Sequence, residues 1–371
     1  MPEPASAQDP AGSDIVTIVV DAMGGDHAPR VPVTGAVQAL ADHSFNGRLL
    51  LVGDQAIVEG LLAETGLSRA QRSRIEVVHA SQVIGMDESP SQALEKKKDA
   101  SMLVGARLVK AGRGQALVSA GNTGALMAGS LLTLGRLAGI RRPAIAVLWP
   151  TQAGPPVLVL DSGANAECRP EYLLQFAHMG SVYMERVMGR VRPRIGLLNI
   201  GEEAGKGGAL LNTAFGLLEK SGLEFTGNVE PRDLLQARVD VVVADGFMGN
   251  MILKTGEAVA EMMMNLIKSE VKKSLVARIG AMLMGPVFVN LKKKVDHTEH
   301  GGAPLLGLQA IVIKSHGRSD EKALCNAVHA AAKAVRGGVL GHIAESVRQI
   351  PTTVASPPNG DVAGPEKARA S

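Results

Sequence analysis

Aspartates, asparagines, lysines and glycines recur in this chain at the ends of apolar runs, where loops hold ligands in open parallel sheets. IVVDAMGGDHAP (18–29) carries Asp21, Gly24, Gly25 and Asp26 directly after the run 15–20. SAGNTGAL (119–126) offers Ser119, Gly121, Asn122, Thr123 and Gly124, and DSGAN (161–165) offers Asp161 and Asn165. NIGEEAGKGG (199–208) holds Glu202 and Lys206. DGFMGN (245–250) holds Asp245 and Asn250, with Lys254 four residues on. Lys314-Ser315-His316-Gly317 closes the last apolar run.

Each group suits a particular task. A strand that ends at Ser119–Gly124 and opens a helix points free amides and the positive end of the helix dipole at one spot, which favours an anion. A capped turn is the plain alternative. Lys206, on a glycine-rich loop, can hold an anionic nucleophile or leaving group, although a solvated lysine fits the same residues. Its loop is no nucleotide-triphosphate site: three residues rather than four separate Gly201 from Gly205, and Gly207 follows the lysine where Ser or Thr is needed. Asn250 presents a neutral amide suited to a developing oxyanion. His27 and His316 stand near the ligand edge as proton carriers or as structural histidines.

What the sequence lacks narrows the chemistry. No G-x-G-x-x-G follows the first strand, no H-E-x-x-H or cysteine pair marks a metal, and no G-x-S-x-G marks a nucleophilic serine. The expectation is chemistry with no metal and no cofactor. Cys168 and Cys325 have no motif around them and read as buried thiols, in keeping with a reducing cytoplasm. A net charge of +3 leaves no nucleic-acid footprint.

The elements that must position these residues are short apolar strands at 15–20, 48–52, 75–79, 116–119, 144–149, 157–160, 194–200, 223–226, 239–244 and 309–314. Helical segments alternate with them at 33–42, 55–65, 89–111, 171–188 and 208–221. Continuous apolar strands between helices predict an α/β fold, with a mostly parallel sheet covered on both faces and the polar loops along one rim. Aromatics make up only 2% of the chain, so aliphatic side chains and methionine must fill the core.

Residues 1–14 and the Pro/Ala/Ser-rich tail 351–371 read as disordered, and 15–345 as the folded unit. Segment 255–295 reads as a helical hairpin excursion interrupted at Gly280 and Gly285-Pro286. Its methionines suit a core or a dimer seam. Alternatively its apolar tip, with Met282, Leu283 and Phe288 among lysines, lies on an anionic membrane surface.

Taken in order, IVVDAMGGDHAP, SAGNTGALM, GIRRPA, DSGAN, QFAHMGSVY, LLNIGEE, GNVEPRDLL, DGFMGN, LKT, GGAPLLGL and IKSHG resemble the bacterial acyl-carrier-protein:phosphate acyltransferase family, over about residues 15–345. The resemblance implies a three-layer α/β/α sandwich similar to the isocitrate/isopropylmalate dehydrogenase type, and a homodimer. It implies that inorganic phosphate attacks an acyl thioester on acyl carrier protein, giving acyl phosphate for glycerophospholipid synthesis. A cytoplasmic enzyme associated peripherally with the membrane would then pass its product to a membrane glycerol-3-phosphate acyltransferase. Lys206 and Asn250 fall on the family's catalytic positions. Asp21, Gly24, Gly25, Asp26, Ser119, Asn122, Thr123, Asp161, Asn165, Glu202 and Asp245 fall in matching blocks. Met248 stands where the family more often has threonine.

Phosphate is already a nucleophile at neutral pH, so the reaction needs no activated Ser, Cys or metal. The protein must hold the dianion at near-attack distance and stabilise the tetrahedral oxyanion. On this reading Lys206 and the amides of 121–124 hold phosphate and Asn250 meets the oxyanion. Asp21, Asp26 and Asp245 orient loops. Arg141-Arg142, Arg190-Arg192-Arg194 and Lys96–Lys98 are candidate contacts for the acidic carrier protein. Two alternatives use other partners: acyl-coenzyme A as thioester donor, or a dinucleotide-dependent dehydrogenase of the same fold class.

Overall fold

The computed structural model describes residues 15–152, 154–288 and 301–350. The disorder expected for 1–14 and 351–371 lies outside the described residues. Along the first half run β1 (Val16–Asp21), α1 (Arg30–Ala41), β2 (Gly47–Gly53), α2 (Gln55–Glu64), α3 (Arg69–Arg72), β3 (Ile75–His79), α4 (Pro90–Lys96), α5 (Ser101–Lys110), β4 (Ala116–Ser119) and α6 (Thr123–Leu134). The second half brings β5 (Ala144–Trp149), β6 (Val157–Leu160), α7 (Pro170–Arg186), β7 (Ile195–Leu198), α8 (Ala209–Glu219), β8 (Phe225–Val229), α9 (Pro231–Leu235) and β9 (Val241–Val243). It ends with α10 (Gly246–Lys272), α11 (Leu275–Leu283), β10 (Ala303–Leu306), β11 (Ile311–Lys314), α12 (Glu321–Arg336) and α13 (Val339–Arg348).

The strands form one sheet in the order β3-β2-β1-β4-β11-β10-β5-β6-β9-β7-β8. From β3 to β11 all neighbours are parallel, and so are those from β6 to β8. Between these blocks β11–β10, β10–β5 and β5–β6 pair antiparallel. Three reversals leave the two blocks pointing in opposite directions. The expected single rim of ligand loops is therefore corrected: the ends of β1, β4 and β11 lie at one edge of the sheet, and those of β6, β7 and β9 at the other.

Helices cover both faces, and strand parity decides which residues meet them. Ile18, Val20, Val118 and Ile313 pack into one core with Val33, Phe176 and Val328 of α1, α7 and α12. Alternate residues Val19, Leu117 and Val312 face the other side, against Leu103 and Leu126 of α5 and α6. On that second face the core is divided. Val159, Val242 and Leu198 form a separate cluster with Leu234, against which Ile252 of α10 packs.

Three further readings are corrected. β10 was not expected, because Pro304 between Gly302 and Gly307 reads as punctuation; it is short and held by pairing on both sides. The 89–111 helix divides into α4 and α5. The long helical segment begins at Gly246 and breaks at Lys273–Ser274, where the Ser274 hydroxyl caps α11, while Gly280 lies inside that helix.

Candidate functional site

A cavity of about 150 Å³ opens beside β5, between the loops after β4 and β11 and the first turns of α10. That is many times the ~10–15 Å³ one water requires. Ile145, Val147 and Leu148 of β5 lie along it. Thr123 of α6 and Gly302, Ala303, Lys314, Ser315 and His316 line the side nearer β11. Ser162 and α10's Asn250, Leu253, Lys254 and Glu257 line the other. One turn of helix separates Asn250 from Lys254, which places both on the face of α10 that borders the cavity.

α10 is seated closely enough to fix that face. Asp245 caps it, accepting from the Met248 N–H at 2.8 Å. A Cβ at Gly246 would come within 2.6 Å of the Asn165 carbonyl, and one at Gly249 would land on the Asp161 carbonyl. Gly163 turns beside Asn250 with φ 128°. The turn itself is organised by Asp161. Its carboxylate accepts from the N–H groups of Ile145 (2.9 Å), Ala164 (3.1 Å) and Asn165 (2.7 Å) and from Asn165 Nδ2 (2.9 Å). Burial pushes the Asp161 pKa up against those bonds. Asp161 and Asn165 thus build the wall beside Asn250.

The opposite wall rests on a similar frame. Asp21 is fully buried and accepts from Ser119 Oγ at 2.7 Å and the Met23 N–H at 3.2 Å. Desolvation raises its pKa, with the hydroxyl bonds opposing. The Gly121 N–H donates to Ser119 Oγ at 3.1 Å, so that amide is already engaged. Gly24 allows the close approach: a Cβ there would stand 2.5 Å from the Asp21 carboxylate and 2.7 Å from the Gly121 nitrogen. Gly25 takes φ 107°, and the next amide, Asp26 N–H, donates to the Gly317 carbonyl at 2.8 Å, tying two loops together. Asn122 caps α6, accepting from the Ala125 N–H at 3.0 Å, while its Nδ2 donates to the carbonyls of Met86 and Glu88. Gly124 packs near Pro90. Of the residues 119–124, Thr123 alone lines the cavity.

Lys206 and Glu202 are placed elsewhere. Their loop follows β7 on the same sheet edge as the β6 and β9 loops, but neither residue lines the cavity. Lys206 lies 3.9 Å from Glu203, and Asn199 Nδ2 donates to its carbonyl at 2.9 Å. Glu202 is paired with Arg232 at 3.5 Å and Arg238 at 3.2 Å. Of Lys206 and the residues 121–124, expected to hold phosphate together, only Thr123 borders the cavity.

Lys254, Lys314 and Ser315, which follow apolar runs at the ligand edge, border the cavity, and Ser162 and Glu257 join them there. The Lys254 ammonium donates to Glu257 at 2.8 Å. Lys314 is only 7% exposed, and its Nζ donates to the Ala120 carbonyl at 3.3 Å and to the Ser315 carbonyl. Burial pulls its pKa down to about 8, with Asp21 and Asp26 holding it up. The signal for Lys254 was its helical spacing from Asn250. Burial pushes the Cys168 thiol up to about 12, which disfavours the thiolate a nucleophile would need.

Comparison with known proteins agrees with this architecture. The family model described as "Fatty acid synthesis protein" matches residues 16–341. The phosphate acyltransferase of Heliobacterium modesticaldum is 51% identical over 330 residues, covering 89% of this chain and 97% of that protein. That of Moorella thermoacetica is 51% identical over 323 residues, covering 87% and 93%. Among solved structures, the EutD phosphotransacetylase from Staphylococcus aureus superposes with a TM-score of 0.55 at 18% identity, over 86% of this chain and 94% of that one. A phosphotransacetylase from Streptococcus pyogenes gives 0.57 at 15% identity, over 87% and 95%, a likeness of fold. The cleft described above thus belongs to an acyltransferase, and the chain is a member of the phosphate acyltransferase family.

Proposed function

We propose that the cleft transfers a fatty acyl group from an acyl carrier protein thioester to inorganic phosphate. An oxygen of the hydrogen phosphate dianion bonds to the thioester carbon, the C–S bond breaks, and the proton of the attacking phosphate passes to the departing sulfur. The products are acyl phosphate and free thiol. A cavity that sets the Asn250 amide and two lysines over the apolar side chains Ile145, Val147 and Leu253 supports this reading most directly. Asn250 donates to the oxyanion, Lys254 offsets phosphate charge, and His316 is the group on the cleft wall suited to pass the proton. Lys206, the other catalytic position that the resemblance implies, lies outside the residues that line the cleft in the single chain. Relatives named phosphate acyltransferase make a dehydrogenase the poorer alternative.

The test is incubation of the protein with acyl carrier protein thioester and phosphate, trapping acyl phosphate with hydroxylamine. Phosphate-dependent acyl hydroxamate is expected. A parallel arm with acyl-coenzyme A decides the donor, and higher kcat/KM there would overturn the carrier-protein assignment.

We further read α11 as a contact for an anionic membrane on which the product passes to a glycerol-3-phosphate acyltransferase. Leu275, Val276, Ile279, Met282 and Leu283 recur at helical spacing on α11, with Met282 80% and Leu283 79% exposed. Lys268, Lys272, Lys273 and Arg278 accompany them. Phe288 is half-buried, which makes it the weaker contact of the three expected. Among the described residues no helix is long and apolar enough to cross a membrane. A second apolar stripe on α10, Met248, Met251, Val259, Met262 and Leu266, faces away from the cleft residues and suits the second copy of a homodimer.

A further inference from the structure

We propose that Lys314 is the cation that seats the attacking phosphate, with Asp21 and Ser119 as the positioning pair that holds it. The inference rests on the acyltransferase reading of the same cleft and adds to it the group that receives the dianion.

Register supplies the first argument. Lys314 pairs with Ser119 on β4 and with Ala303 on β10, and Asp21 lies one residue beyond the Val20–Val118 pair. Asp21, Ser119, Lys314 and Ala303 therefore stand in one row across four neighbouring strands. Val19, Leu117 and Val312, two residues before the first three, all point to the cleft face, so these three share it. The hydroxyl bond from Ser119 to Asp21, at 2.7 Å, fixes that row.

The second argument is charge. A lysine 7% exposed on a central strand is unusual, and a buried ammonium ordinarily has a carboxylate in contact. Here two carbonyls, of Ala120 and Ser315, take two of its N–H donors. An ammonium has three donors, which leaves one for a ligand in the cavity that Lys314 lines. Asp21 and Asp26 act on it only at longer range, and Lys254 across the cleft opposes it. Lys254 has Glu257 as its own counter-ion, and among the described residues His316 is the other titratable group that lines the Lys314 wall. Two ammonium groups thus border one cavity in which, among the described residues, no carboxylate forms an ion pair with Lys314. A tetrahedral dianion supplies the missing charge.

Inorganic phosphate alone is the probe, titrated by calorimetry without thioester, so that binding is read separately from turnover. Lys314→Met should weaken phosphate binding by about tenfold or more and raise the phosphate KM in parallel, leaving the thioester KM within about twofold. A Lys314→Met protein that unfolds at the wild-type temperature and binds phosphate within about twofold of wild type would overturn the proposal. Should that variant fail to fold, the unaltered protein decides. From about pH 7.5 to about pH 9.5 phosphate affinity should fall roughly tenfold as the ammonium loses its proton, and a flat profile would overturn the assignment.

Asp21→Asn keeps an acceptor for Ser119 but removes a charge that holds the Lys314 pKa up. The alkaline loss of phosphate binding should therefore move to lower pH, and an unmoved profile would remove Asp21 from the positioning role. Loss of turnover on acyl carrier protein thioester with phosphate binding intact would sink the reaction reading and leave the seat standing.

Discussion

Asn250 is neutral and exposed on the first turns of α10, so it can donate to a developing oxyanion without attracting phosphate beforehand. Removing one such donor costs about 10²–10³-fold in comparable sites. Asn250→Ala should lose that much kcat while phosphate affinity and unfolding temperature stay near wild type, which calorimetry and thermal unfolding can check. Lys254 differs, being charged and tied to Glu257. Glu257→Gln frees the ammonium and should lower the phosphate KM, an effect that steady-state kinetics at low salt will show most clearly. Cys168 offers the contrasting case. With its thiol pushed up to about 12 it carries no thiolate at neutral pH, so Cys168→Ala should retain kcat within about twofold.

The helices extend these arguments, because α10 delivers Asn250 and Lys254 only if its first turns stay seated. The Asp161 carbonyl occupies the space a Cβ at Gly249 would need. Gly249→Ala should therefore cost about 1–3 kcal/mol of stability by overpacking. It should also lower kcat by shifting Asn250, and the two effects are read by thermal unfolding and kinetics on one preparation. Gly280 is the control. It lies inside α11 with open space around its missing Cβ. Gly280→Ala should favour that helix by roughly 0.5–1 kcal/mol, seen as slower amide exchange there, with turnover unchanged.

The same contrast shows what was legible beforehand. Gly280 reads as a helix breaker, but glycine only weakens a helix, and the break falls where Ser274 can cap a new one. Gly249 reads as part of a polar loop after a strand, since nothing local announces the helix that begins at Gly246 or the carbonyl that comes to lie against it.

At the scale of the molecule, the strands were legible because apolar runs such as VLVL and AIAVLW are buried on both faces and leave no other element to choose. Their direction was not. Reversal depends on β10, four residues around Pro304, and on the antiparallel β5–β6 pair, both held by partners distant in sequence. Without those reversals the polar loops seem to share one rim, and Lys206 seems to face Ser119. Lys314 was legible as a strand-end lysine, but its burial was not: such a lysine looks like the first solvated residue of a loop until the strands beside it bury it. Asn122, Asp161 and Asn165 have ligand-like chemistry, yet their hydrogen bonds are taken by backbone that only the fold brings near. The Asn250–Lys254 spacing was readable, since helix geometry alone puts both on one face.

The exposed α11 gives a prediction at this same scale. Anionic vesicles should co-sediment the wild-type protein, and a Met282→Glu/Leu283→Glu double variant should lose most of that binding with turnover on soluble thioester preserved.

The central claim is that a cleft between two opposed half-sheets brings phosphate to a thioester carbonyl. It is tested most directly by mixing purified protein, acyl carrier protein thioester and phosphate and following thiol release with hydroxylamine-trapped acyl phosphate. Equimolar thiol and acyl hydroxamate, both requiring phosphate and both suppressed in Asn250→Ala, are the predicted result. Thioester that remains intact at saturating phosphate, or is lost equally without it, would contradict the account.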